Sequence, residues 1–169
     1  MSSNYTTNLK NKRVISVTGD ESEAFLNNII TNDIKKIEKE KAIYSCLLSP
    51  QGKVISHFFI IKNNNQFLII IDNFLLNELI EKLNFYKLRS KIVIKEETKY
   101  KIIFTLNDSC ILDSILEFED PRNKNIGKYL ILNQNIDENI KLDNNDVYHQ
   151  IINTYGLIDN IFYEIKRQF

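Results

Sequence analysis

The feature that most constrains this fold is a run of three apolar segments separated by two very short polar turns. The segments are residues 42–49, 54–62 and 67–72, and the turns are residues 50–52 and 63–65. Connections this short join strands that lie side by side and run in opposite directions. The pattern therefore predicts an antiparallel three-stranded meander near the middle of the chain.

Segments on both sides of the meander extend it to a first lobe of strands and helices. Residues 13–18 alternate between apolar and polar side chains, as a strand does. A helix is predicted after Asp20, which can cap it together with Glu23 in a capping box. Helical spacing follows at residues 74–90 and a further strand at residues 91–95, so the order reads β-α-β-β-β-α-β.

The second half of the chain also mixes strands and helices. Strands are predicted at residues 100–106, 116–119 and 128–133, with a short helix at residues 109–114 and a longer one at residues 146–155. We predict an α+β fold with two lobes of mostly antiparallel sheet and helices packed on one face. The first lobe is residues 1–98, of which residues 1–13 are expected to be frayed. The second is residues 99–169, in an arrangement that allows it to exchange strands with the first.

Composition and charge exclude several classes of protein. Lysine plus arginine and aspartate plus glutamate number 22 each, so no basic excess favours direct binding of nucleic acid. The longest apolar run, near residues 67–71, is far too short to cross a membrane. Cys46 and Cys110 lie in apolar, strand-like contexts, and the two histidines add no recognisable metal-site spacing. We therefore expect buried free thiols in a cytoplasmic protein, with no nucleic-acid partner, no membrane partner and no metal.

Five segments, taken in order, carry a resemblance to a known family. They are VTGDESEAFLNNIITNDI (17–34), YSCLLSPQGKVISHFFI (44–60), YKLRSKIVI (86–94), DPRNKNIGKYLI (120–131) and YHQIINTYGL (148–157). In order and spacing they resemble the YgfZ-type folate-binding proteins of the aminomethyltransferase superfamily, which includes the glycine-cleavage T-protein. The resemblance implies the folate-binding-domain fold of that superfamily, with folate, as tetrahydrofolate, as the cofactor.

The resemblance covers the N-terminal two-thirds of such a protein. Members of the family continue past a segment like Gln168-Phe169 into a lysine-glycine-cysteine-tyrosine motif, then Gly-Gln-Glu and a small β-barrel domain. Neither Cys46 nor Cys110 lies in such a motif, so neither is assigned the reactive role. The expectation is a chain without the cysteine motif and barrel, as a complete short product, a relic or half of a split gene.

The hairpin at residues 47–61 corresponds to a folate-lining segment of the related aminomethyltransferases. There, adjacent aspartates follow the turn and one serves the folate chemistry, whereas this sequence has Ser56 and His57 at those positions. Neither is an anion at neutral pH, although a histidine with an ordinary pKa of about 6.5 could act as a base. The resemblance implies that Ser56 and His57 contact folate, and no catalytic residue is assigned. The plain alternative is a histidine on a sheet face with a satisfied hydrogen bond.

Further residues complete the folate site that the resemblance implies. The family has aromatic residues at the start of the first strand and of the late helix, and the matching positions here are Lys12 and Tyr148. Arg89 and Arg122 are candidate partners for the folate carboxylates, and Asn32 follows a helix whose end often faces the ring's centre in this family. Most have structural alternatives: Lys12 as a surface cation, Tyr148 packed on the sheet with a hydrated hydroxyl, Arg122 bracing its own turn, and Asn32 ending a helix.

Three functions follow from the resemblance and stay open at this point. The first is a folate-binding accessory protein that acts in iron–sulfur cluster assembly or repair and, through cluster enzymes, in tRNA modification. The chain has no cluster-ligating cysteine set, so its partners would be iron–sulfur assembly proteins or a separate C-terminal fragment. The second is a folate-dependent aminomethyl transferase, and the third is a truncated, non-functional remnant. A missing segment would leave apolar surface uncovered, so self-association is also expected.

Overall fold

The computed structural model describes residues 5–106, 112–133 and 144–157. Predictions for Cys110 and for the first part of the helix at residues 109–114 lie outside these residues. Within them, the strands are β1 (Thr6–Asn8), β2 (Lys12–Thr18), β3 (Ala42–Leu48), β4 (Val54–Asn63), β5 (Gln66–Asp72), β6 (Val93–Glu96), β7 (Tyr100–Thr105), β8 (Leu116–Glu119) and β9 (Lys128–Asn133). The helices are α1 (Ser22–Ile29), α2 (Ile37–Glu40), α3 (Leu76–Lys87) and α4 (Asp146–Thr154).

The chain divides into two compact units, each with one sheet. Lys10–Tyr100 form the central unit, and Met1–Leu9 together with Lys101–Phe169 form the flanking unit. The strand order is β3-β4-β5-β2-β6 in the five-stranded sheet and β1-β7-β9-β8 in the four-stranded sheet. The strand pairs with a described register are antiparallel. The α+β fold class that the sequence predicts, with two mostly antiparallel sheets, is confirmed.

The central meander is antiparallel and follows the predicted strand order. In β3, β4 and β5, Ile43 lies opposite Ile60, and Ile60 lies opposite Ile69. Gly52, with φ +78°, and Asn64, with φ +53°, provide the left-handed backbone that the two turns need. The two short polar sequences therefore form tight turns, as their composition predicts. The turns set the pairing of the strands, which determines the side chains that share a sheet face.

Helices α1 and α3 cover one face of the five-stranded sheet. Leu26 of α1 and Leu79 of α3 are fully buried against alternate strand residues such as Ile15, Ile60 and Ile69. Burying one such side chain stabilises the fold by roughly 1.5–3 kcal/mol. This helix-covered face contains the main apolar core of the unit.

Two local expectations are wrong, and one link contains elements that the sequence did not predict. The predicted capping box does not form, because the cap position of α1 is Glu21, whose carboxylate accepts a hydrogen bond from the backbone N–H of Lys91 at 2.6 Å. The link before β3 contains a 3₁₀ turn and α2, anchored by the buried side chains of Ile34 and Ile37. The segment expected to be frayed contains β1, which pairs with β7. Each of these features depends on contacts between segments distant in sequence.

In the flanking unit, a fully buried carboxylate organises the turn before β9. Asp120 accepts hydrogen bonds from Arg122 Nε at 2.9 Å, from Arg122 Nη2 at 2.7 Å and from the Tyr129 hydroxyl at 2.9 Å. Burial alone would lower the pKa of the Arg122 guanidinium, but its hydrogen bonds to Asp120 raise that pKa above its usual range. Burial raises the pKa of the Tyr129 hydroxyl as well. Arg122 therefore braces its own turn.

Candidate functional site

A buried ion pair lies at one end of the five-stranded sheet. Lys12 begins β2 and Asp72 ends β5, and the two residues lie directly opposite each other in the antiparallel register. Lys12 Nζ is 2.8 Å from Asp72 Oδ1, and the two side chains are only 9% and 2% exposed. The alternative of Lys12 as a surface cation is therefore wrong, because its charge is held inside the protein against a carboxylate.

Asn11 adds a second donor to the same carboxylate. Its Nδ2 group donates to Asp72 Oδ1 at 3.1 Å, which fixes the orientation of the side-chain amide. Asn11 Oδ1 is then a buried acceptor with no hydrogen-bond partner in the structure. Leaving such an acceptor unpaired costs about 1–3 kcal/mol, so this atom favours a donor brought by a ligand or by water.

Ser56 and His57 face opposite sides of the sheet. Ser56 lies opposite Leu47, on the helix-covered face, whereas His57 lies opposite Cys46, on the other face. Ser56 is 1% exposed and its hydroxyl oxygen has no hydrogen-bond partner in the structure. Successive side chains of a strand alternate between faces, so these neighbours cannot hold one ligand on the same side of the sheet. Of these two residues, His57 is the one that shares a face with the ion pair.

On that face, polar residues form a row across four strands. His57 pairs with Cys46, and Lys12 pairs with Asp72. The paired part of β4 and β5 ends where Phe59 lies opposite Ile70. His57 and Asp72 each lie two residues beyond that pair, so alternation puts both on the same face of the sheet. We call Lys12, Asp72, His57 and Cys46 the polar row.

Aromatic side chains lie next to the polar row. The ring centroid of Tyr44 is 5.7 Å from that of His57 and 5.6 Å from that of Phe59, with interplanar angles of 54° and 57°. Tyr44 and Phe59 are opposite each other on β3 and β4, on the same face as the row. The face therefore combines a charged pair, an imidazole and two aromatic rings, which suits a flat, polar, nitrogen-rich ligand.

Cys46 ends the polar row as a protonated thiol. Burial raises the pKa of this thiol, and a hydrogen bond with Thr31 opposes that change only in part. A thiol with a raised pKa is a poor nucleophile at neutral pH. Among the described residues, no group of three or more histidine, cysteine, aspartate or glutamate side chains could hold a metal ion.

Asn32 is bonded to local structure at the end of α1. Its backbone N–H donates to Ser45 Oγ at 3.1 Å, and its Nδ2 group donates to the carbonyl of Tyr44 at 3.0 Å. Its Oδ1 atom accepts from the backbone N–H of Asp33 at 2.9 Å. Asn32 therefore ties the end of α1 to β3, with both its amide nitrogen and its amide oxygen bonded to nearby backbone.

Arg89 lies apart from the polar row in the fold. It follows α3 and precedes β6, and its side chain is exposed. The structure places no ion pair or hydrogen bond on this side chain within the part of the chain that it describes. Arg89 is thus an exposed cation on the surface of the central unit rather than a member of the row.

Tyr148 belongs to the core of the flanking unit. It lies on α4, is 1% exposed, and packs edge-to-face on Phe104 with ring centroids 4.9 Å apart. Its hydroxyl oxygen is 3.5 Å from that of Tyr129, and its backbone N–H donates to the Tyr5 hydroxyl at 3.2 Å. The expected packing is present, but the hydroxyl joins a buried network instead of being hydrated.

A surface groove of about 560 Å³ lies at the other end of the strands of the central unit. It is lined by the end of β2, the start of α1 and the turn between β4 and β5, including Asp20, Glu23, Lys62 and Asn64. Lys62 forms an ion pair with Glu23 across it at 3.7 Å. None of the six residues predicted to bind folate lines this groove.

Sequence reasoning missed Asp72 and Asn11. A carboxylate that ends an apolar strand, as Asp72 does, is a signal that the sequence contains. Its significance depends on the pairing of β5 with β2, which joins residues about sixty positions apart and cannot be read from local patterns.

The fold is shared with the aminomethyltransferases. Over 92% of this chain and 47% of the other, the structure matches glycine cleavage system aminomethyltransferase T from Bartonella henselae, with a TM-score of 0.62 and 10% sequence identity. The chain belongs to the family described as the GCVT N-terminal domain, whose profile matches residues 6–103. The resemblance to the aminomethyltransferase superfamily is therefore confirmed.

Two curated relatives illustrate the range of proteins that share this domain. An aminomethyltransferase from Chlorobium phaeobacteroides is 37% identical over 57 residues, which are 34% of this chain and 16% of that protein. The mitochondrial iron-sulfur cluster assembly factor IBA57 homolog of Neurospora crassa is 32% identical over 96 residues, 53% of this chain and 22% of that protein. The chain thus matches about a fifth of the length of these relatives. None of the helices described is both long and apolar enough to cross a membrane.

Proposed function

We propose that this chain is a folate-binding accessory protein of the YgfZ type that acts in iron–sulfur cluster assembly or repair. The observation that carries the proposal is the polar row, with the unpaired acceptor Asn11 Oδ1 at one end and aromatic rings beside it. The likeness to an iron-sulfur cluster assembly factor homolog supports the biological role. We also propose a cytoplasmic location and an effect on tRNA modification through cluster enzymes.

The side chains of this face fit the pterin of tetrahydrofolate. A pterin is flat and carries several N–H donors, so it needs aromatic or apolar contact and buried acceptors. Tyr44 and Phe59 supply aromatic contact, Asn11 Oδ1 is a buried acceptor without a donor, and His57 can donate or accept. When bound, tetrahydrofolate would supply a one-carbon carrier. The residues of this chain would hold and orient it.

A folate-dependent aminomethyl transferase is the second candidate. Asp72 favours it, because a carboxylate lies on the same face as His57 even though the hairpin itself has none. Against it, that carboxylate is paired with Lys12 at 2.8 Å and also bonded to Asn11. The Asp72 carboxylate is therefore already occupied by two donors of the same chain. We therefore place binding ahead of catalysis.

The proposed cluster role assigns the iron and sulfur to other proteins. No metal-binding group of side chains is present among the described residues, so partner proteins would hold the cluster. The partners we propose are iron–sulfur assembly proteins and the cluster enzymes they supply. In this proposal, tetrahydrofolate binding regulates or supports the transfer of the cluster between those partners.

Cluster transfer tests the proposal. We expect the full chain with tetrahydrofolate to speed reassembly of a four-iron cluster on an apo tRNA-thiomodification enzyme, in the presence of assembly proteins. Asn11→Ala should lose this effect, whereas Asn84→Ala should keep it, because the Asn84 amide is exposed and bonds only the helix carbonyl of Ile80. No effect of the wild-type chain would contradict the role. Release of ammonia from an aminomethyl donor would instead support the transferase.

A further inference from the structure

The first turn of α1 has backbone donors that no described residue accepts. The cap residue of this helix, Glu21, directs its carboxylate to the backbone N–H of Lys91 and makes no side-chain hydrogen bond to the helix. Among the described residues, no group accepts from the backbone N–H groups of Glu23 and Ala24. These two donors lie at the positive end of the helix dipole, so they favour a negatively charged oxygen.

Ser22 is a second, independent indication of a ligand at the same place. This residue is only 5% exposed, and it lines the groove of about 560 Å³ at this end of the central unit. Its hydroxyl forms no hydrogen bond with any residue that the structure describes. A polar group that is buried without a partner destabilises the folded state, so this hydroxyl favours a hydrogen-bond partner brought into the groove.

The charges around the groove favour a ligand that carries both signs. Lys62 Nζ is 3.7 Å from the Glu23 carboxylate, so the charges of these two residues offset each other. Asp20 also lines the groove, and its carboxylate has no ion pair or hydrogen bond within the described part of the chain. Asp20 would repel a simple anion, and a simple cation would leave the helix donors unpaired. A zwitterion satisfies both, with its carboxylate at the helix and its ammonium at Asp20.

The remaining wall of the groove favours an uncharged polar group on the same ligand. The turn between β4 and β5, together with the first residue of β5, contributes the amides of Asn63, Asn64, Asn65 and Gln66. An amide side chain both donates and accepts hydrogen bonds, so it complements another amide or a hydroxyl. The groove is also large enough, because small-molecule sites have volumes of about 300–1,000 Å³.

We propose that this groove binds a free α-amino acid with a polar, uncharged side chain. The carboxylate of the amino acid accepts hydrogen bonds from the N–H groups of Glu23 and Ala24 and from the Ser22 hydroxyl. Its ammonium pairs with Asp20, and its side chain contacts the amides of the turn. The groove and the polar row lie at opposite ends of the strands, so this site does not depend on the proposed folate site.

Calorimetric titration of L-glutamine, L-asparagine and L-serine into the full chain tests the proposal. We expect at least one of them to bind with a dissociation constant below about 1 mM. Two analogues of L-glutamine test the two charges: glutaramic acid lacks the ammonium, and 4-aminobutanamide lacks the carboxylate. Both should bind at least about tenfold more weakly than L-glutamine, because each loses a charged hydrogen-bonding group. Inorganic phosphate, as a simple anion, should also bind more weakly.

Two substitutions with matched controls locate the site. Asp20→Asn and Ser22→Ala should each weaken amino acid binding about tenfold. Glu81→Gln, at an exposed carboxylate on α3, and Ser56→Ala, at another buried hydroxyl without a partner, should leave the binding unchanged. The backbone amide signals of Glu23 and Ala24 in the NMR spectrum of the full chain should shift when the amino acid binds. Circular dichroism checks that each variant is folded.

Three outcomes would overturn the proposal. The first is a folded wild-type chain that binds none of the three amino acids at about 10 mM. The second is tighter binding of inorganic phosphate or of 4-aminobutanamide than of the amino acids, which would make the groove a site for a simple anion or a simple cation. The third is an equal effect of the two substitutions and their controls.

Discussion

Lys12 shows how the register of a sheet determines the environment of a single residue. In the sequence it occupies a position where the related family has an aromatic residue, and its charge suggests a surface location. In the structure it is buried against Asp72 and shares a sheet face with His57. Alternation within a strand can be read from the sequence, but the identity of the strand alongside it cannot.

Removing the charge of Lys12 should destabilise the protein strongly. Lys12→Met leaves the carboxylate of Asp72 buried without its cation, which predicts a loss of about 3–5 kcal/mol in the free energy of unfolding. Lys12→Met combined with Asp72→Leu should recover most of this loss, and Lys10→Met should change little because Lys10 is exposed. Urea denaturation measures all three, and a loss below about 1 kcal/mol for Lys12→Met contradicts a buried pair.

The neighbours Ser56 and His57 show a second limit on what the sequence predicts for single residues. The sequence identifies them correctly as unusual polar residues in an apolar strand. Their alternation also predicts that they face opposite sides, which separates them as ligand contacts. The face that carries the candidate site is identified by the residues on the neighbouring strands, and only the structure shows which residues those are.

Strands and helices were predictable from the sequence wherever the local pattern of apolar and polar residues determines them. The strand at β4 is predicted at residues 54–62 and observed at Val54–Asn63, and the late helix is predicted at residues 146–155 and observed at Asp146–Thr154. Short turns and clear periodicity make these segments readable. β1 and the start of α1 were misread, because the first depends on β7 and the second on a contact from Glu21 to Lys91.

The corner where β2 meets α1 should tolerate no side chain at Gly19. A Cβ there would lie 2.2 Å from the carbonyl oxygen of Lys91, whereas a Cβ on Gly52 would have nothing within 4 Å. Both glycines have positive φ, at +116° and +78°, so both alanine variants carry backbone strain. Gly52→Ala should cost about 1–2 kcal/mol.

Gly19→Ala should cost clearly more than Gly52→Ala, because the backbone of residue 91 must also move. The difference between the two variants isolates the steric contact from the strain of positive φ. Thermal unfolding of both proteins measures it. Equal losses would contradict the close approach of this corner to the segment before β6.

For the whole molecule, the sequence specified the family and the fold class more completely than the site. Five segments in order were enough to indicate the superfamily, which the match over residues 6–103 confirms. Of the predicted site residues, Lys12 and His57 lie together on the polar row, while Ser56 faces the core, Asn32 ties α1 to β3, and Arg89 lies on the surface. Tyr148 is packed in the flanking unit.

The central claim is that the face carrying the polar row binds the pterin of tetrahydrofolate. Calorimetric titration of tetrahydrofolate into the wild-type chain, Asn11→Ala and Ser56→Ala tests it most directly, since the two substitutions remove unpaired buried atoms at different places. We predict binding by the wild type, affinity about 5–150-fold weaker for Asn11→Ala from the loss of one buried acceptor, and unchanged affinity for Ser56→Ala. No binding by the folded wild-type chain at millimolar tetrahydrofolate, or weaker binding in Ser56→Ala alone, would contradict it.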